Sequence, residues 1–199
     1  FVAGLLNALY AYQGKSVRPI ELAYKAIEIE REILKETVGC QDQVFAAVGG
    51  FNVLEFRGTD DIVVHRVPLS RERLEEFEAH LLVVFTGILR RASDIPAKQV
   101  KKIDINKERL KRMREMVDEG YDILTGSGNL VKFGLLLDEA WKLKSQLDES
   151  VTNDAIKAIY EEGKKAGAIG GKLLGAGGGG FFLFFVPPEK KKAVRERLG

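Results

Sequence analysis

Gly170-Gly171-Lys172-Leu173-Leu174-Gly175-Ala176-Gly177-Gly178-Gly179-Gly180-Phe181-Phe182 is the loudest signal in this chain. Seven of these thirteen residues are glycine, and they sit between two apolar runs that read as strands. A plain hairpin closes on about two glycines. Four in succession, Gly177 to Gly180, add an ordering cost that a simple turn does not require. Residues without side chains let several backbone N–H groups converge on one oxyanion, the geometry of a phosphate nest. A flexible or tightly packed hairpin loop explains the same composition, and on the glycines alone both readings stay open. No Gly-Lys-Ser/Thr follows, which excludes a Walker-type loop.

Outward from this stretch, strands are expected at 171–174 and 181–185, with a loop at 175–180 and a helix after Pro187-Pro188. Upstream, apolar periodicity predicts helices over roughly 91–101, 105–124, 129–146 and 153–166, with Pro96 opening or kinking the first. Leu81 to Phe85 reads as a buried strand, and Ser70 as the cap of a charged helix reaching about Ala79. Residues 51–56 and 62–67 form a hairpin signal. Before them come a helix over 1–13, a second over roughly 19–36 opened by Pro19, and a short one over 41–47 stopped by Gly49-Gly50. The domain division is expected near Pro68 to Arg73, giving domains of 1–70 and 71–199.

The bulk numbers remove several function classes. Lys plus Arg exceeds Asp plus Glu by 31 − 29 = 2, so no broad field exists for nucleic acid or an anionic membrane. The apolar runs are strand-length, far short of the ~20 residues of a membrane helix. Cys40 is the one cysteine, which rules out an intrachain disulfide and points to the cytoplasm. The first residue is Phe1 rather than Met, so the chain is expected to open in mid-protein.

A second constellation is Gly39-Cys40-Gln41-Asp42-Gln43, preceded by Glu30. Asp42 stands at a loop-to-helix junction, where it either caps the helix or orients and deprotonates an attacking hydroxyl. Glu30, late in its helix, either joins a solvated face with Glu28, Arg31 and Glu32 or offers a carboxylate to Mg²⁺. A third is Thr86-Gly87-Ile88-Leu89-Arg90-Arg91-Ala92-Ser93, which reads as an ordinary basic loop capped by Ser93 or as a phosphate grip made by Arg90 or Arg91 with Ser93. Lys144, one helical turn beyond a core Trp141, is similarly two-sided. His65 and His80 have no partners at metal-ligand spacing and read as structural, and the run Lys190 to Lys192 as a solvated face.

In this order the segments resemble the GHMP kinases. Gly39 to Gln43 is similar to the family's segment holding a catalytic aspartate, Glu30 to its magnesium-binding glutamate, and Gly171 to Phe181 to its C-terminal glycine motif. The residues Phe1 to Leu9 resemble the helix that follows the family's nucleotide loop, itself absent here. Gln41-Asp42-Gln43, Gly49-Gly50-Phe51-Asn52, Thr86-Gly87 with Arg90, Trp141 with Lys144, and Gly167-Ala168 with the glycine run resemble the heptose-phosphate kinase branch, whose members phosphorylate the anomeric hydroxyl of D-glycero-D-manno-heptose 7-phosphate. Asp138 departs from it where a histidine is usual, and Thr152-Asn153 where Ser-Asn is usual.

The resemblance implies an α+β fold of two domains: a partial N-terminal part like ribosomal protein S5 domain 2, carrying nucleotide and catalytic groups, and a C-terminal ferredoxin-like domain. It implies an ATP- and Mg²⁺-dependent sugar kinase with Asp42 catalytic and Glu30 on the metal. Gly175, Gly177, Gly178 and Gly179 would approach a phosphate, with Arg90, Ser93 and Lys144 on the substrate. Partners would be ATP and a small sugar phosphate, without nucleic acid or membrane, and a homodimer stays open. Alternatives are another GHMP acceptor (fucose, galactose or a mevalonate-type alcohol) or a non-catalytic sugar-sensing protein of the same fold.

Overall fold

The structure is a computed structural model that describes residues 1–36, 38–58, 61–89 and 104–199. The chain divides into two compact units, Phe1–Val67 and Pro68–Gly199.

In the first unit, helix α1 (Val2–Tyr12) is followed by α2 (Pro19–Glu28). Pro19 stands in the first turn of α2, where its missing N–H costs nothing. The sequence pattern predicts one helix to about residue 36. Instead the backbone passes at Ile29–Ile33 into a π-helical turn, marked by the Leu34 amide donating to the Ile29 carbonyl at 2.9 Å. Lys35, at φ 55°, then ends the helical path, because a left-handed residue cannot continue it. Helix α3 (Gln41–Val48) leads into β1 (Asn52–Phe56), which pairs antiparallel with β2 (Ile62–Arg66) from Asn52↔Arg66 to Phe56↔Ile62. Ala23, Ile27, Val44 and Ile62 form the core, and the Ile62 amide donates to the Tyr24 hydroxyl at 3.0 Å. That bond ties the hairpin to α2.

The second unit opens with α4 (Arg71–His80), capped by Ser70 Oγ, which accepts from the Arg73 amide at 3.1 Å. Next come β3 (Leu81–Phe85), α5 (Lys107–Thr125), α6 (Val131–Ser145) and a 3₁₀ turn (Glu149–Val151). They are followed by α7 (Asp154–Lys165), β4 (Gly170–Leu173), β5 (Phe181–Phe185) and α8 (Lys191–Leu198). The helix expected over 91–101 lies outside the described residues. The three strands form an antiparallel sheet in the order β3-β5-β4. The class is therefore α+β, with small antiparallel sheets packed by helices.

Strand periodicity sorts the sheet residues by face. Leu82, Leu173, Phe182 and Phe184 share one face and pack with Trp141, Val151, Ile156, Tyr160 and Val194. Trp141 meets Phe182 edge-on at 5.2 Å. On the other face Phe185 joins Phe77, Leu124 and Leu130. Helix α7 lies close to the sheet because residue 163 is glycine: a Cβ there would stand 2.6 Å from the Phe184 ring. Arg73 fastens α4 to the end of α5, donating to the carbonyls of Ile123 and Gly128 at 2.8 Å each and of Leu124 at 3.2 Å. Among the described residues no helix is long and apolar enough to cross a membrane.

Candidate functional site

In the first unit the residues of interest gather at the start of α3. Cys40, not Asp42, occupies the N-cap position of α3, and its side chain makes no capping bond. Asp42 lies in the first turn, exposed, with its carboxylate making no hydrogen bond or ion pair to a described residue. A negative side chain there gains ~0.3–1 kcal/mol from the helix dipole while its oxygens stay available. Glu30 sits in the π-helical turn and is half-buried. Turns of this kind inserted in α-helices occur often at functional sites. Gln43 Nε2 donates to Glu30 Oε2, so the turn brings Glu30 to the residue beside Asp42.

Gln43 itself is 8% exposed, and its Oε1 is buried with no partner. An orphaned amide oxygen beside a half-buried carboxylate is a polar arrangement the protein alone leaves incomplete. Among the described residues no group of three or more His, Cys, Asp or Glu side chains could cage a metal. Mg²⁺ rarely needs such a cage, because it is held by one or two carboxylates together with substrate phosphates and water. Glu30 fits that mode of binding.

In the second unit the glycine loop joins β4 to β5 and is pinned on both sides. The Leu174 amide donates to Phe181 O at 2.8 Å, Gly178 to Val151 O at 2.9 Å and Gly180 to Ile88 O at 2.9 Å. Thr86 completes the clasp by donating to Gly180 O through its amide at 2.9 Å and its hydroxyl at 2.8 Å. The amides of Gly175, Gly177 and Gly179 donate to no described residue.

The glycines therefore have two jobs. A Cβ at Gly177 would stand 2.8 Å from the backbone of Val151, and one at Gly179 would stand 2.7 Å from Ile88 O. The close neighbour that requires glycine at these positions is the protein's own backbone. The amides of Gly175, Gly177 and Gly179 are left without a described acceptor. Val151 and Ile88 carry no recognisable signal in the sequence, because they act through main-chain atoms. Asp148, 7% exposed, accepts from Ser150 N at 2.8 Å and so shapes the turn that presents Val151.

Lys144 is placed at the edge of the loop. Its Nζ donates to Gly175 O at 2.6 Å and to Leu173 O at 3.3 Å. The ammonium thus braces the hairpin. Asp138, at the position where the sequence departs from the heptose branch, is 9% exposed and accepts from Tyr160, from Lys164 at 3.0 Å and from Lys142 at 2.7 Å. Burial alone would raise its carboxyl, but the hydrogen bonds from Lys142, Tyr160 and Lys164 outweigh burial and hold it below the usual range. Burial first and the neighbouring carboxylate second push the Tyr160 hydroxyl upward. Arg90 and Ser93 lie outside the described residues. His65 pairs with Glu55 at 3.1 Å, and His80 packs on Phe185 with ring centroids 4.8 Å apart.

Comparison with known proteins places this geometry in a class. Residues 104–199 match the model described as GHMP kinases C terminal. The chain is 34% identical over 179 residues to the D-glycero-alpha-D-manno-heptose 7-phosphate kinase of Campylobacter jejuni, covering 88% of this chain and 52% of that protein. A crystal structure of a Campylobacter jejuni protein assigned as a sugar kinase superposes with a TM-score of 0.67 at 32% identity, over 99% of this chain and 56% of that one. A D-glycero-D-manno-heptose 1-phosphate kinase from Bacteroides thetaiotaomicron shares the fold with a TM-score of 0.71 at 24% identity, over 98% of this chain and 54% of that one. The fold is thus that of small-molecule kinases. Residues 104–199 carry the C-terminal domain of the GHMP kinases. It spans about half the length of the relatives it matches.

Proposed function

We propose that the chain works as an ATP-dependent sugar kinase, moving the γ-phosphoryl group of ATP to the anomeric hydroxyl of D-glycero-D-manno-heptose 7-phosphate. The observation that carries this reading is the Gln43–Glu30 hydrogen bond, which ties a half-buried carboxylate to the first turn of α3, where Asp42 also stands. The identity to a heptose 7-phosphate kinase supports the choice of acceptor. On this reading residues 1–70 belong to the nucleotide-binding and catalytic domain and residues 71–199 form the C-terminal domain.

Phosphoryl transfer needs positioning and charge stabilisation more than covalent chemistry from the protein. Asp42 orients the attacking hydroxyl and takes its proton. Glu30 would contribute a carboxylate to Mg²⁺, which would supply positive charge to offset that of the nucleotide's phosphates. Gln43 holds the Glu30 carboxylate in place by donating to one of its oxygens. The amides of Gly175, Gly177 and Gly179 donate to phosphate oxygens, while Gly178 uses its own amide to fix the loop on Val151. Lys144 acts through the loop by holding Gly175 and Leu173. Arg90 and Ser93 take the acceptor's own phosphate. The setting we assign is the cytoplasm, which suits a free Cys40.

The test is transfer of radiolabel from γ-labelled ATP, with Mg²⁺, to heptose 7-phosphate, unphosphorylated heptose, fucose, galactose and mevalonate in parallel. Label on heptose 7-phosphate alone is the expected result. Label on fucose, galactose or mevalonate in its place overturns the acceptor, and ATP binding without transfer to any of them overturns the kinase.

A further inference from the structure

We propose that Lys172 is an anion-binding residue of the β4–β5 hairpin and that its ligand is a phosphate-bearing molecule. Lys172 stands on β4 in register with Leu183 of β5, which is in register with Val83 of β3. That row is on the sheet face opposite Phe182 and Phe184, and the same face exposes Phe85 and Phe181 farther along. Lys172 is half-buried, its row neighbours are apolar, and its ammonium has no hydrogen bond or ion pair with a described residue.

Four other half-buried cations of this unit are satisfied by its own acceptors, whereas Lys191 at the start of α8 shares with Lys172 the absence of a described partner. Arg73 reaches three carbonyls, Lys144 two, Arg112 the carboxylates of Glu119 and Glu139, and Lys164 the carboxylate of Asp138. Removing part of an ammonium's hydration without a compensating partner is costly, and burial accordingly lowers its affinity for the proton. A ligand anion recovers that cost. The same hairpin supplies further donors, since the Gly175, Gly177 and Gly179 amides, a few residues on, have no described acceptor. A tetrahedral oxyanion with several acceptor oxygens suits an ammonium and backbone N–H groups used together. The competing account is a lysine whose stem lies on apolar surface while its head stays in water.

This inference deepens the kinase reading by naming a cation for one of the substrates' phosphates, but it needs no turnover to test. The chain is acylated sparingly with an amine-reactive ester, in chloride or in inorganic phosphate at matched ionic strength, and each lysine is quantified by peptide mass spectrometry. At phosphate ten times its Kd, Lys172 acylation falls about tenfold, as occupancy requires, while Lys190 and Lys192 react unchanged. Lys172→Met, checked for native Trp141 fluorescence, binds phosphate about tenfold or more weakly by calorimetry, and Lys172→Arg restores binding to within about threefold. Acylation of Lys172 that ignores phosphate, or that falls only in step with Lys190, overturns the proposal. A chain that protects Lys172 yet transfers no phosphoryl group refutes the kinase and leaves the anion site standing.

Discussion

Gly179→Ala isolates the packing of the glycine loop from its backbone conformation. Gly179 does not adopt the left-handed φ that disfavours a side chain, so the new methyl meets only steric resistance. That resistance is firm: Cβ would stand 2.7 Å from Ile88 O and 3.0 Å from Ile88 Cγ2. Either the loop or the Ile88 backbone must retreat by several tenths of an ångström. Retreat stretches the Gly180 N to Ile88 O bond, now 2.9 Å. Overpacking of this sort costs ~1–3 kcal/mol, and loss of the hydrogen bond adds ~0.5–1.5 kcal/mol. The expected destabilisation is therefore about 2–4 kcal/mol.

Trp141 is the one tryptophan of the chain and is buried in the unit that holds the loop, so urea unfolding followed by its fluorescence reports on that unit. The midpoint should fall with the slope unchanged, because the surface exposed on unfolding is the same. Gly175→Ala serves as the companion. Its Cβ meets nothing within 4 Å, but its φ is +72°, so its cost is the ~1–2 kcal/mol of a left-handed alanine. A Gly179→Ala variant within about 0.5 kcal/mol of the parent, the range of an indifferent surface change, would refute the claim that the loop is seated against Ile88.

Three further outcomes are expected. Asp42→Asn should lower kcat by about 10²–10⁴-fold with ATP affinity kept, measured by steady-state phosphoryl transfer beside equilibrium nucleotide binding; near-normal turnover removes Asp42 from the reaction. Asp138→Asn should destabilise the second unit by about 1–2 kcal/mol at neutral pH, because the partly exposed Lys164 and Lys142 lose a charged acceptor while water screens them in part. Since the folded Asp138 carboxyl is held below its unfolded value, its contribution is present above the ordinary aspartate pKa and is lost as pH falls through the folded one, so the gap between parent and variant should close on acidification. Arg73→Met should cost about 2–3 kcal/mol by leaving the Ile123, Leu124 and Gly128 carbonyls without their donor, read as a lower urea midpoint.

Much of the fold is legible from local patterns. Ser70 and Asn153 announce the helices they cap, since each side-chain oxygen accepts from an amide of its own first turn. The apolar run Leu81–Phe85 and the phenylalanines of 181–185 mark two strands by their length and composition, although the face bearing Val83, Phe85 and Phe181 is partly exposed. The break of the second helix at Glu28 is not legible: the π turn is held by the Leu34 to Ile29 bond and by the path to Lys35, and Glu30 to Ile33 keep a helical appearance in composition. Lys144 is half legible. Its place one turn beyond Trp141 puts it near the sheet edge, but only the folded hairpin offers it the carbonyls of Leu173 and Gly175.

By itself the sequence determined the fold class and the order of the candidate features: a helix, Glu30, Asp42, a basic strand end and a glycine loop between apolar strands. Those features are local, each set by a residue's own conformational or packing preference, so they survive being read one at a time. Tertiary structure alone decided which groups are spoken for. Gly177 and Gly179 are glycine because Val151 and Ile88 press against them, Lys144 is occupied by the loop, Gln43 turns Glu30 toward the start of α3, and the Lys172 ammonium is left half-buried without a partner among the described residues. Such assignments depend on contacts between residues far apart in the chain, and no run of neighbours in the sequence carries them.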